Sequence, residues 1–214
     1  MRVLVACEWS GRVRDAFRSK GHDAWSCDLL PSPDMSYHLQ GDVRELMAKH
    51  WPWDLVIAHP PCTYLSNSGV LRLYKDGKKV NGRDFKRWEL MRQAAEFFWW
   101  FIDSSVPKLC VENPVMHRHA MSLMDGVTYD QIIHPWQFGE DASKATCLWL
   151  RNLPPLVPTK ILPGGRKARR ANQTPSGQNK LGPSPERAKV RGITYLGIAE
   201  AMAEQWGQPA PKET

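Results

Sequence analysis

Short, uninterrupted apolar runs alternate along this chain with segments whose apolar positions recur every three to four residues. The runs at 3–6 (VLVA), 23–27, 54–58 (DLVIA) and 108–111 (KLCV) have the length and continuity of strands buried on both faces. Between them, 11–20 carries Val13, Ala16 and Phe17 on one helical face, with Gly21 placed to close the helix. Asp42 is placed to cap a helix over 43–50, after a short strand at 38–41. A long apolar-faced helix is expected over 87–103. Further strands are expected at 131–133 and 147–150. Residues 192–206 (GITYLGIAEAMAEQW) read as a last helix, with Ile198, Met202 and Trp206 on one stripe. Strand alternating with helix predicts an α/β fold, a doubly wound and mostly parallel sheet covered on both faces.

In such sheets ligands bind beyond the carboxyl ends of the strands, so the residues at those ends carry the chemistry. They are Cys7-Glu8-Trp9-Ser10-Gly11, Asp28, Asp42, Pro60-Pro61-Cys62 and Glu112-Asn113. A carboxylate at Asp28 is placed for ribose hydroxyls and one at Asp42 for an adenine amine. Trp9 offers a stacking face, and the Ser10-Gly11 turn opens a helix. The strict G-x-G-x-x-G pattern of a pyrophosphate site is absent, which favours a nucleoside cofactor without a diphosphate, such as S-adenosylmethionine. Cys62 and Glu112 at successive strand ends suit addition of a thiolate to an electron-poor ring, with the carboxyl group serving a ring nitrogen. Taken singly, Asp28 and Asp42 also suit turns or caps, Trp9 a core position, Glu112 a helix entry and Cys62 an ordinary buried cysteine. His59 beside the prolines is a candidate base but suits a satisfied strand-end histidine better, and His117 and His119 suit an exposed helix. Tyr64, Ser66 and Asn67 are candidates to touch the substrate.

Composition narrows the class. With 214 residues, 42% hydrophobic and 24% charged, the chain is an ordinary globular one rather than disordered or fibrous. Nothing approaches ~20 consecutive apolar residues, and no secretory leader pattern opens the sequence, so a cytoplasmic protein without membrane contact is expected. The five cysteines lack metal-ligand spacing, which predicts neither a zinc site nor a disulfide framework. The net charge of +7 is concentrated: nine Lys and Arg between 159 and 191 face Glu186 alone. That stretch, rich in Pro, Gly, Asn and Gln, reads as a flexible basic loop between a core at 1–158 and a helix at 192–208. A second basic stretch spans Arg72 to Arg92. Together they predict a polyanionic partner, nucleic acid, with plain solvated loops as the alternative.

The segments ACEWSG, Asp28, Asp42, DLVIAHPPC and VENPV, in that order, resemble the motif series of the C5-cytosine DNA methyltransferases, in particular the compact phage and prophage members. The resemblance covers residues 1 to about 150 and the last helix. It implies that Cys62 attacks C6 of a flipped cytosine, that Glu112 contacts N3 and the exocyclic amine, and that C5 receives the methyl group. Trp9, Ser10, Gly11, Asp28, Asp42 and Pro60 would hold S-adenosylmethionine, with the helix beginning at Thr194 completing the pocket. The basic loop after Cys62 would close over the substrate. Thr63 stands where the family has glutamine. In QFGEDASKATCLWL, Lys144 replaces one substrate-binding arginine and Thr146 the other. The family's target-recognition domain is reduced to 151–191. That implies a short recognition site, single-stranded or distorted DNA, or a protein partner that supplies specificity.

Two other functions compete. The HPPC sequence is similar to the Pro-Pro-aromatic turn of exocyclic-amine methyltransferases, which need no thiol; here a cysteine stands in the aromatic position. A DNA- or cofactor-binding protein without catalysis would keep the basic loops. A cytidine deaminase is excluded by the missing His/Cys zinc signature.

Overall fold

The computed structural model describes residues 1–208 apart from Trp51 and Pro183. Seven strands form one sheet in the order β3-β2-β1-β4-β5-β7-β6. They are β1 (Arg2–Ala6), β2 (Asp23–Asp28), β3 (His38–Gln40), β4 (Leu55–Ala58), β5 (Lys108–Pro114), β6 (Gln131–Ile133) and β7 (Thr146–Arg151). Strands β1 to β5 pair in parallel, and β7 runs antiparallel between β5 and β6. The chain winds outward in both directions from the β1–β4 pair, so the fold is the doubly wound, mostly parallel α/β type. The switch of direction opens a crevice between the loops that follow β1 and β4.

Successive side chains of a strand point to opposite faces, and the core divides accordingly. Leu4, Ala6, Val56, Ala58, Leu109 and Val111 meet α2 (Val43–Lys49) and the long α3 (Phe85–Ile102) on one face. Val3, Val5, Leu55, Ile57 and Cys110 meet α1 (Arg12–Ser19) and α6 (Leu196–Trp206) on the other. The α6 stripe of Ile198, Met202 and Trp206 is buried as its spacing requires, each large side chain contributing about 1.5–3 kcal/mol. Gly197 permits the close fit, because a Cβ there would stand 2.0 Å from the Phe138 carbonyl oxygen.

Three expectations change. Strand β5 continues through Glu112, Asn113 and Pro114, which pair with Leu148, Cys147 and Thr146, so Glu112 lies within the strand rather than beyond it. The basic stretch is not wholly loop: residues 185–192 form a helix, α5 (Pro185–Gly192), capped by the Ser184 hydroxyl accepting from the Arg187 amide. The last helix therefore starts at Leu196, and Thr194 lies in the link between the two helices. His117 is buried. Its Nδ1 caps the short α4 (Arg118–Met121) by accepting from the Ala120 amide at 3.1 Å, and its Nε2 donates to the Tyr64 carbonyl at 3.2 Å. No helix of the described residues is long and apolar enough to cross a membrane.

Candidate active site

The turn from β1 into α1 is built by three residues. Cys7 takes a positive φ of 58°, which is sterically unfavourable for a residue with a side chain. Gly11 follows at φ 76°, and a Cβ on it would meet the Arg14 guanidinium at 2.3 Å, so only glycine fits. Glu8 is buried beneath the turn and serves as the cap that Gly11 cannot provide. Its Oε1 accepts from the Val13 amide at 2.8 Å and the Ser10 hydroxyl at 3.2 Å, and its Oε2 from the Arg14 amide at 3.4 Å. A carboxylate at a helix N-terminus also complements the macrodipole. Arg14 is 1% exposed and ties the turn to the loop after β2, donating to Ser26 Oγ, Ser32 Oγ and the Asp34 carbonyl.

Asp28 ends β2 with one carboxylate oxygen on the Leu30 amide at 2.9 Å. Exposed Leu29 and Leu30 lie beside it and leave an apolar border. Asp28 and Asp42 both act on Cys7, whose thiol is pushed well up by burial, by Cys27 and then by these two charges. The turn and the two aspartates therefore form one acidic, aromatic-edged cradle. Within it Asp42 is already occupied: it caps α2 through the Arg44 amide and pairs with the Arg44 side chain, and both hold its pKa at about 2. The Trp9 ring carries the Lys189 ammonium, from α5, at 4.3 Å from its centroid. Gly11, Ser10 and the free side of Asp28 fit a nucleoside with an unphosphorylated ribose. Asp42 and Trp9 fit it only if Arg44 and Lys189 share them.

The second half of the site follows β4. Pro60 is buried, and its carbonyl accepts from the Asn113 side-chain amide at 3.0 Å, which fixes the loop against β5. The Cys62 carbonyl accepts from Leu65 and Ser66 amides, so Cys62 heads a tight turn. Beyond it the Asn67 amide bonds the Val115 carbonyl, and the Tyr64 ring lies under the Arg87 guanidinium at 4.9 Å. The expected closing loop is thus held to the end of β5 at its start and continues through short 3-10 turns, the first spanning Asn67–Leu73.

Glu112 is the hub. Its Oε2 lies 2.8 Å from His59 Nδ1, and its Oε1 lies 3.5 Å from the Lys144 ammonium, at ion-pair rather than hydrogen-bond distance. Burial favours the neutral acid, but Lys144 and His59 outweigh it and hold the Glu112 pKa at about 2. Cys62 responds oppositely. Burial and then the Glu112 charge raise its pKa, and Lys144 and Arg191 oppose them without reversing the shift. The resting thiol is protonated, and the cations that would favour its thiolate are already present. Thr146 is buried at the start of β7, against Pro114.

The basic segment docks on this half. Asn172 exchanges two hydrogen bonds with the Ser143 backbone, at 2.9 and 3.0 Å, immediately before Lys144. Arg170 is buried beside Trp136 and near Asp141. The docking encloses a cleft of about 400 Å³ whose lining includes Arg12, Lys144, Asn172, Lys180, Arg191 and Tyr195.

No protein-family model matches the chain, and no curated protein sequence does. Among solved structures it is similar to a prophage-encoded E. coli protein assigned as a DNA modification methyltransferase (15% identity, TM-score 0.45, covering 77% of this chain and 53% of that one). It is also similar to an Entamoeba histolytica methyltransferase (11% identity, TM-score 0.42, 76% and 57%). A third is a Spodoptera frugiperda DNMT2 mutant (14% identity, TM-score 0.37, 77% and 56%). The chain spans just over half the length of each.

Of the residues expected from sequence, Cys62, Glu112 and Lys144 converge, and Ser10, Gly11, Asp28 and Asp42 surround the β1 turn. Pro60 acts through its carbonyl and Thr194 through its own, which accepts from Arg12 at 3.2 Å. Sequence reasoning missed the capping role of Glu8, the buried Arg14, the His59–Glu112 bond and the approach of α5 to Trp9 and Cys62. Only α5 had a local signal, the Ser184-Pro185-Glu186 start of a capped helix.

Proposed function

We propose that this chain transfers a methyl group from S-adenosylmethionine to C5 of cytosine in DNA, through a covalent bond between Cys62 and C6. The observation that carries the reading is the meeting of Cys62 with Glu112, Lys144 and Arg191 at the carboxyl ends of β4 and β5. A thiol that feels the charge of one carboxylate and two cations suits addition to a ring that must be polarised at a nitrogen. Gly11 and Ser10 would admit the cofactor, and Asp28 would accept its ribose hydroxyls. When bound, it supplies an electrophilic methyl group. Cys62 would add to C6, Glu112 would face N3 and the amine, and Lys144 would neutralise the carboxylate until the base arrives. The cations of the cleft would hold backbone phosphate. Residues 159–191 offer little surface for reading a long base sequence, so the target is a short site, single-stranded or distorted DNA, or one chosen by a protein partner.

The test is trapping on single- and double-stranded DNA containing 5-fluorocytosine in the presence of S-adenosylmethionine. The expected result is a denaturation-resistant adduct that is absent from Cys62→Ser. Cofactor binding with no adduct on any substrate would overturn the C5 mechanism, and methylation that survives Cys62→Ser would point to an exocyclic amine.

A further inference from the structure

His59 has a role that strand-end geometry alone does not account for. Its amide donates to the Ala6 carbonyl at 2.9 Å, extending the β1–β4 pairing by one residue and driving the imidazole inward, where the side chain is 7% exposed. Nδ1 is taken by Glu112, whereas Nε2 is buried without a hydrogen-bond partner among the described residues. Leaving a buried polar atom unpaired costs about 1–3 kcal/mol, a cost that a residue retained only to orient Glu112 need not carry. Charged and titratable groups surround the ring: Glu8 from the β1–α1 turn, Glu112 from β5, and, from the loop before β7, Lys144, which lines the same small pocket as His59 and Glu112. Cys62 lies in the ring's own loop, and Arg191 approaches Cys62 from α5. Glu8 has its own donors in Val13, Arg14 and Ser10 and makes no hydrogen bond to His59.

We infer that His59 is a positioning residue that stores a proton for Glu112, the two forming one proton-carrying pair that takes the Cys62 thiol proton and delivers a proton to the ring nitrogen of the substrate. The inference deepens the reading of the site as a cytosine methyltransferase. The addition step balances without an outside acid or base. The thiol proton leaves Sγ for the unpaired Nε2 of His59, and the S–C6 bond forms. The C5=C6 electron pair becomes C4=C5, the C4=N3 pair moves onto N3, and N3 takes the proton that His59 Nδ1 passes through Glu112, leaving His59 neutral and Glu112 ionised. Lys144 and His59 keep Glu112 ionised at rest, so a Glu112 acting alone would hold no proton to give at neutral pH.

The experiment measures iodoacetamide alkylation of Cys62 between pH 5 and pH 10, by mass spectrometry, in the unmodified chain and in His59→Asn. Asparagine keeps an N–H donor toward Glu112 but cannot titrate. The pair predicts two coupled steps in the wild-type rate profile. It predicts one step in His59→Asn, with alkylation several-fold slower near neutral pH. In methylation assays the variant should lose about 100-fold in kcat with KM for DNA unchanged, the smaller end of what proton transfer contributes. Superimposable alkylation profiles would overturn the inference whatever the methylation rates are. A His59-dependent profile in a protein that forms no 5-methylcytosine would instead sustain the pair and remove the cytosine reading. If His59→Asn does not fold, the ring titration of His59 followed by ¹⁵N NMR should differ between the wild type and Cys62→Ser, and identical curves would overturn the pair.

Discussion

Lys144 reaches from the loop before β7 to within 3.5 Å of Glu112 Oε1, on the opposite side of the carboxylate from His59. A buried carboxylate is thereby held between two basic groups, and its charge is available to Cys62 at rest. Removing the carboxylate and removing the cation should have opposite effects on the thiol. In Glu112→Gln the negative charge that raises the Cys62 pKa is gone, so alkylation at pH 7 should speed up although methylation falls by about 10²–10⁴. In Lys144→Met a cation that favours the thiolate is gone, and alkylation should slow. Equal alkylation rates in the two variants would remove the electrostatic account of Cys62.

Glu112 also contributes to the acid stability of the fold. Glu112 keeps its charge in the folded protein down to about pH 2, whereas its ordinary value is 4.5. Between those values the unfolded chain binds the additional proton. The contribution of Glu112 is therefore complete above about pH 4.5 and is lost as pH falls toward 2. The full shift corresponds to about 3 kcal/mol. Lys144→Met should narrow this window and lower stability at neutral pH, because the carboxylate is left with His59 alone. Urea denaturation at intervals from pH 7 to pH 2 measures both, and a variant whose stability runs parallel to the wild type across that range would contradict the assignment.

The strands were legible because their apolar runs are continuous: Leu55–Ala58 is buried on both faces and reads as such. The end of β5 was not, because Glu112-Asn113-Pro114 is a polar sequence whose strand geometry comes from β7 rather than from its own pattern. The strand-end acids and Cys62 could be read from position alone. The partner of Glu112 could not. His59 is 53 residues away and meets it only because β4 and β5 are neighbours. Likewise the cap formed by Asp42 was legible in sequence, and only the structure shows the Arg44 side chain folded back onto it. The polar face of α5 carries no apolar stripe to announce that its Lys189 would lie over Trp9.

Gly11→Ala should be costly for two separable reasons. The left-handed backbone costs a residue with a side chain about 1–2 kcal/mol, and the new methyl group would displace the buried Arg14 guanidinium, which a Cβ would meet at 2.3 Å. Arg14 also anchors Ser32 and Asp34, so the loop after Asp28 should loosen with it. The expected outcome is a lower Tm together with faster amide exchange at 29–36, measured by hydrogen exchange with mass spectrometry. A lower Tm with unchanged exchange in that loop would confine the effect to the turn.

The cleft beside Lys144 makes a separate prediction about nucleic acid. Arg12, Lys180 and Arg191 reach it from α1, the basic segment and α5, and none of the three makes an ion pair among the described residues. Cations that are not neutralised internally are available to phosphate, and each phosphate contact releases counterions. Fluorescence anisotropy with a labelled oligonucleotide, titrated at several salt concentrations, should give a linear fall of log affinity with log salt. Replacing Lys180 or Arg191 by Gln should reduce the slope by about one each and weaken binding alike for unrelated sequences. Arg12→Gln should do the same and also release the Thr194 carbonyl, so its effect on cofactor affinity should exceed that of Lys180→Gln. At about 400 Å³ the cleft is closer in size to one nucleotide than to a duplex. Single-stranded DNA should therefore bind with the steeper dependence on these three residues, and equal dependence for duplex would place the phosphate grip elsewhere on the basic surface.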